Sequence, residues 1–85
     1  MDEQRKNASA AEADGVIEGR NAVTEALRVG TPIDKIYLAR GETDATLGHI
    51  ASTARSQGVV VVECDRRKLD NMSRTHAHQG VIALA

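Results

Sequence analysis

VIEGRNAVTEALRVGTPIDKIYLA, residues 16–39, holds the unit from which the rest of the fold can be read. Val16-Ile17 is a short apolar pair that opens a strand, and Gly19 breaks it. From Asn21 the period changes. Ala22, Val23, Ala26 and Leu27 recur at i, i+1, i+4 and i+5, which lines one face of a 3.6-residue helix. Asn21 is the expected N-cap, because its short side chain can accept a bond from a free amide of the first turn. Gly30 followed by Pro32 stops the helix. Lys35–Ala39 (KIYLA) then alternates, with Ile36 and Leu38 on one face and Tyr37 and Ala39 on the other.

The pattern repeats outward. Asp44 caps a second helix whose Leu47, Ile50, Ala51 and Ala54 fall at i, i+3, i+4 and i+7, and Gly58 ends it. Val59–Val62 is four consecutive β-branched residues, expected as a central strand buried on both faces. Asp65 starts a short third helix carrying Leu69 and Met72. A polar loop runs to Gly80, and Val81–Leu84 makes a last strand. The order β-α-β-α-β-α-β predicts an α/β fold with helices on both faces of a small four-stranded, parallel or mixed sheet. The chain reaches Ala85 at the end of a strand, which carries the expectation that the natural chain or its complex continues.

Residues 1–15 (MDEQRKNASAAEADG) hold one apolar side chain larger than Ala and are expected as a disordered tail. Residues 16–85 form the single domain that 85 residues can support. Its core must be aliphatic, since Trp and Phe are absent and Tyr37 is the only aromatic residue. Such a core gives no aromatic platform for stacked bases. The net charge of −1 argues against a general basic field; the tail carries −2 and the domain +1. A lone Cys64 excludes an internal disulfide and makes a reducing, cytoplasmic setting the default. No apolar run approaches the roughly 20 residues of a membrane span.

No Gly-rich phosphate loop, GxGxxG, HExxH or nucleophile elbow is present. The strand-to-helix turn Gly19-Arg20-Asn21 is the candidate ligand contact. Gly permits close backbone approach, a helix start offers free amides, and Arg20 is a planar five-donor fork suited to phosphate or a guanine edge. The residues alone leave open whether Gly19 merely turns and Asn21 merely caps. Arg66, Arg67 and Lys68 at the start of the third helix form a second, basic candidate patch that would act by counterion release. His76, His78, Cys64 and His49 lack the close paired spacing of a zinc site, and His78 is expected to fill a polar niche beside the last strand.

Taken together, GRNAVTEAL (residues 19–27), IDKIYL (33–38), DRRKLD (65–70) and HQGVIA (78–83) resemble, in order, the N-terminal substrate-binding domain of SpoU/TrmH-family RNA 2′-O-ribose methyltransferases. That resemblance implies a three-layer α/β/α sandwich with a mixed sheet, similar to kink-turn-binding ribosomal proteins. It implies RNA as partner, rRNA (23S) ahead of tRNA, with contacts at Gly19, Arg20 and Asn21. It also implies a following AdoMet-binding catalytic domain, in an enzyme expected to be a homodimer. The AdoMet-binding knot and catalytic Arg of that domain have no counterpart in these residues, so no cofactor and no catalytic residue is assigned to this chain. Two other readings compete: an interaction or dimerisation module without its own RNA affinity, and a small metal-dependent enzyme.

Overall fold

The computed structural model describes residues 15–41 and 44–85. The expected tail thus lies outside the described residues, except for Gly15, whose carbonyl accepts the Ala85 N–H. Seven elements follow in the order β1 (Val16–Glu18), α1 (Arg20–Val29), β2 (Lys35–Ala39), α2 (Ala45–Ser56), β3 (Val60–Cys64), α3 (Arg66–Met72) and β4 (Val81–Leu84). In the sheet they lie as β1-β4-β2-β3. β4 runs antiparallel to both neighbours, whereas β2 and β3 are parallel. The sheet is therefore mixed.

Strand periodicity sorts the side chains into two cores. Ile17, Ile36, Leu38, Val81 and Ala83 face Val23, Ala26 and Leu27 of α1 and Leu47, Ile50, Ala51 and Ala54 of α2. On the other face Ala39, Cys64 and Ile82 meet Leu69 of α3, with Tyr37, Met72 and Leu84 at the margin. Two helices, a sheet and one helix make three layers. Leu69 is the one fully covered residue that α3 contributes to its core, because a seven-residue helix has room for little more than one inward position.

The helix ends follow from local chemistry. Gly30, with φ of 82°, closes α1 in the left-handed conformation, and the Thr31 N–H reaches back to the Ala26 carbonyl at 2.9 Å. Asp44 caps α2 as expected, accepting the Leu47 N–H at 2.8 Å. Asp65 flanks α3 but makes no side-chain cap; its carboxylate turns to Arg40 instead.

One expectation fails. Val59–Val62 is not a central strand: β3 begins at Val60, lies at the sheet edge, and leaves Val60 54% exposed. β4 takes the interior by inserting antiparallel between β1 and β2, and Val81, Ile82 and Ala83 are each 0% exposed. A β-branched run reports strand preference, not position in the sheet.

This topology gathers the functional candidates. β1, β2 and β3 all point the same way, opposite to β4. Their carboxyl ends, the starts of α1, α2 and α3, and the loop before β4 therefore share one end of the sheet. In open α/β sheets this is the end at which ligands bind.

Candidate nucleic-acid interface

The turn after β1 forms the centre of that end. Gly19 is buried, with φ 95° and ψ 155°, a conformation essentially reserved for glycine. A Cβ there would lie 3.4 Å from Gln79 Oε1 and 3.5 Å from the Ala77 carbonyl, so the loop before β4 packs directly on the turn. The Gly19 N–H bonds the Val81 carbonyl at 3.2 Å and fixes the register of the two segments.

Asn21 does not cap α1. The cap position is Gly19, which has no side chain, and the missing acceptor comes from 59 residues away: the Arg20 N–H donates to Gln79 Oε1 at 3.0 Å. Asn21 is instead an exposed residue of the first turn. The expectation failed because a cap supplied by another loop leaves no local sequence signature.

Arg20 links three loops. Its Nε donates to the Gln79 carbonyl at 3.2 Å, and a terminal nitrogen lies 2.7 Å from Asp44 Oδ2. The other oxygen of Asp44 caps α2. The Leu47 N–H, helped by Arg20, holds the Asp44 carboxyl below the usual carboxylate range against the opposing effect of desolvation. Arg20 is thus oriented before any ligand arrives, with its side chain 31% exposed.

Glu18 organises the loop from below. Its carboxylate accepts from Ser73 Oγ (2.6 Å), the Arg74 N–H (2.5 Å), the Thr75 N–H (3.2 Å) and Thr75 Oγ1 (2.9 Å). Desolvation pushes its pKa up, but these four bonds outweigh it and hold the group below its ordinary 4.5. The loop carries two non-glycine residues at positive φ, His76 at 61° and Gln79 at 56°. Such strain persists only where surrounding contacts over-determine the backbone.

His78 fills the polar niche expected for it. It is 2% exposed, its Nδ1 accepts the Gly80 N–H at 2.9 Å, and its Nε2 lies 2.7 Å from Asp70 Oδ1. Because Nδ1 is an acceptor, the neutral ring carries its proton on Nε2 and donates it to Asp70. That bond, more than the nearby cations, draws the Asp70 carboxyl below its ordinary value.

The second candidate patch divides. Arg67 and Lys68 line an open cleft of about 390 Å³ together with Arg40, Glu63, Cys64, Asp65 and Asn71. Arg66 does not line it and acts electrostatically on Asp70. Lys68 Nζ sits 5.4 Å from the centre of the Tyr37 ring, and Lys35 Nζ sits 5.8 Å from it. Arg40 bonds Asp65 Oδ1 at 3.2 Å and the Glu63 carbonyl at 3.4 Å. Burial raises the pKa of the Cys64 thiol, so it sits there as an apolar wall rather than a nucleophile.

Sequence reasoning missed Glu18, Gln79, Arg40 and the second task of Asp44. Glu18 precedes the glycine turn directly, and Gln79 lies inside the HQG triplet. Their adjacency to the motifs was the available signal, but their partners are remote. Among the described residues no three His, Cys, Asp or Glu side chains are grouped to hold a metal ion. No described helix is long and apolar enough to cross a membrane.

A small α/β/α module whose polar turns converge at the carboxyl ends of its parallel strands belongs to the class of binding domains. The sequence profile of the RNA 2′-O ribose methyltransferase substrate-binding family matches residues 16–85, and the chain belongs to that family. An uncharacterized tRNA/rRNA methyltransferase of Mycobacterium avium (strain 104) is 38% identical over 78 residues, covering 91% of this chain and 25% of that protein. One from Mycobacterium ulcerans (strain Agy99) is 42% identical over 64 residues, covering 74% and 21%. The chain thus spans about a quarter of the length of the curated relatives it matches. Among solved structures, a Bacillus halodurans protein of unknown function superposes with a TM-score of 0.68 at 20% identity, over 91% of this chain and 77% of that one. An archaeal translation termination factor does so with a TM-score of 0.59 at 18% identity, over 96% and 23%. At these identities the likeness is one of fold.

Proposed function

We propose that residues 16–85 recognise the RNA substrate for an AdoMet-dependent RNA 2′-O-ribose methyltransferase whose catalytic domain is a separate part of the protein. The substrate proposed is rRNA of the large subunit ahead of tRNA, and the whole enzyme is proposed as a cytoplasmic homodimer. The observation that carries this reading is the Gly19-Arg20-Asn21 turn, locked by Gln79 and Asp44 at the ligand-binding end of the sheet. A guanidinium held in place loses little conformational freedom on contact, so its remaining N–H groups suit a phosphate or a guanine edge. Asn21, exposed beside it, offers both a donor and an acceptor to a base. AdoMet belongs to the catalytic domain in this reading, and calorimetry of this chain with AdoMet is expected to be flat.

The test is binding of labelled large-subunit rRNA fragments and of tRNA as a function of salt. With about three phosphates contacted, the slope of log affinity against log salt should be about −2.7, roughly a 40-fold loss between about 50 and 200 mM. Arg20→Ala should weaken binding by about 1–3 kcal/mol if the fork reads a base, or flatten the slope by about one unit if it holds only a phosphate. Its melting midpoint must be read alongside, since Arg20 also ties three loops. Unchanged affinity and slope in a folded variant would make the turn purely structural.

A second reading, docking to the catalytic domain or a dimer mate without autonomous RNA affinity, draws on one feature. Between α1 and α2 lies a depression of about 200 Å³ lined by Thr24, Leu27, Arg28, His49, Ile50 and Thr53. Absence of any salt-dependent RNA binding would favour this docking role.

A further inference from the structure

We infer that the cleft bounded by Arg40, Arg67 and Lys68 is a second RNA-backbone subsite, which holds a phosphate on the opposite side of the sheet end from the Arg20 turn. This rests on the proposed role in RNA recognition and extends it to a site and a ligand group.

Three observations support the assignment. First, the cleft is an open depression of about 390 Å³ with three cations from two parts of the chain around it. Arg40 directly follows β2, and Arg67 and Lys68 come from the first turn of α3. Second, two of those cations are already oriented. Asp65 and the Glu63 carbonyl hold the Arg40 guanidinium, and the Tyr37 ring lies under the Lys68 ammonium. Arg67 has no hydrogen-bonded or ionic partner among the described residues and is exposed at the rim. Third, the three cations outnumber by one the two acidic residues of the lining, Glu63 and Asp65, and Asp65 faces Arg40.

The chemistry selects phosphate over a base. The cleft holds no aromatic face for stacking, since the one ring nearby is covered by Lys35 and Lys68. Its donors are two guanidinium forks, an ammonium and the Asn71 amide, which match the oxygens of a phosphodiester. The position selects a folded or extended RNA over a mononucleotide. The Arg20 turn follows β1 at one edge of the sheet, whereas Arg40 follows β2 and Arg67 and Lys68 follow β3, two and three strands away. Two to three strand spacings separate the sites, roughly 10–14 Å. One phosphate cannot reach both, so the two sites would clamp phosphates well apart on one RNA. Backbone contacts of this kind set register and orientation, leaving sequence to be read at the turn.

The decisive experiment measures salt-dependent affinity of one mixed-sequence RNA hairpin for the wild-type chain, Arg67→Gln, Arg40→Gln and Arg20→Ala. Arg67→Gln is the clean probe, because the side chain supports nothing in the fold, and its melting midpoint should equal that of the wild type. The expected result is a salt slope flatter by about 0.9, so that the loss of affinity between about 50 and 200 mM shrinks roughly 3.5-fold. The same change should appear with an unrelated hairpin sequence. Arg40→Gln should do likewise, with its midpoint recorded because it also loses the Asp65 pair. A wild-type slope retained by both Arg67→Gln and Arg40→Gln, while Arg20→Ala weakens binding, overturns the second subsite and leaves the RNA-recognition role standing. No salt-dependent binding by the wild-type chain overturns both.

Discussion

Glu18 is the residue whose removal tests most directly whether the binding end is preorganised. Its carboxylate is the sole acceptor for four donors, two backbone and two hydroxyl, all within Ser73–Thr75. A hydrogen bond to a charged group contributes about 1.5–3 kcal/mol when shielded. Glu18 is only partly buried, and its one charge is shared among four partners, so the set is worth roughly 2 kcal/mol. For a domain of this size that corresponds to a midpoint lowered by about 8–16 °C in Glu18→Ala. Glu18→Gln keeps one acceptor oxygen but turns an NH₂ toward donors, and should fall between. The pH arm has a definite sign. The carboxyl is lowered in the fold, so its contribution is fully present above 4.5 and is lost as pH falls through the lower folded value. Asp44 and Asp70 add acid sensitivity of the same sign, and they do so equally in wild type and variant. Melting followed by far-ultraviolet circular dichroism should therefore show the gap between wild type and Glu18→Gln narrowing as pH drops below 4.5. A Glu18→Ala midpoint within a degree or two of wild type near pH 7 would refute the reasoning.

Gly19→Ala forces a Cβ into a backbone region that L residues scarcely occupy, and should cost at least about 1–3 kcal/mol in denaturant unfolding. Gln79→Ala removes the remote cap of α1 and should destabilise by about 0.5–2 kcal/mol, with faster hydrogen exchange at the Arg20 amide. Asp44→Asn retains the α2 cap, because Asn caps as well as Asp, but removes the anion beside Arg20. RNA affinity should rise roughly two- to five-fold at low salt, as measured by titration.

The elements were legible because each is specified locally. Val23, Ala26 and Leu27, the Gly30 stop and the alternation of Lys35–Ala39 appear in the structure where the periods put them, while Ala22, counted in the same stripe, is exposed. Strand order was not legible. Nothing in Val59–Val62 distinguishes an edge from a centre, and the answer lies in the pairing of β4 with both β1 and β2. The site divides in the same way. Gly19 and Arg20 announce themselves by residue type at a strand-to-helix turn. Gln79 and Glu18 act only through partners more than 50 residues distant, and Arg40 joins Arg67 and Lys68 only once β2 and β3 are paired. Asn21 was misread for that reason: the local rule assigned it a cap that the fold supplies from elsewhere.

The pairing of Arg20 with Asp44 bears on how a nearly neutral domain would carry out the proposed selection of RNA. A free arginine on a neutral surface would attract any polyanion, and would do so from many orientations. Here the charge is largely balanced by Asp44 at 2.7 Å, and the guanidinium plane is set by the Gln79 carbonyl. A phosphate arriving at the turn exchanges one carboxylate for another anion, so the net Coulombic gain is small. What remains favourable is geometry: an RNA that satisfies the unused N–H groups of Arg20 without disturbing Gln79 gains directional bonds, and one that does not gains little. Discrimination of this kind sacrifices affinity for orientation. That suits the proposed role, in which the domain would present one ribose to a neighbouring catalytic centre rather than hold RNA tightly by itself. The Asp44→Asn variant separates the two quantities, since tighter binding should come with weaker preference between RNA sequences.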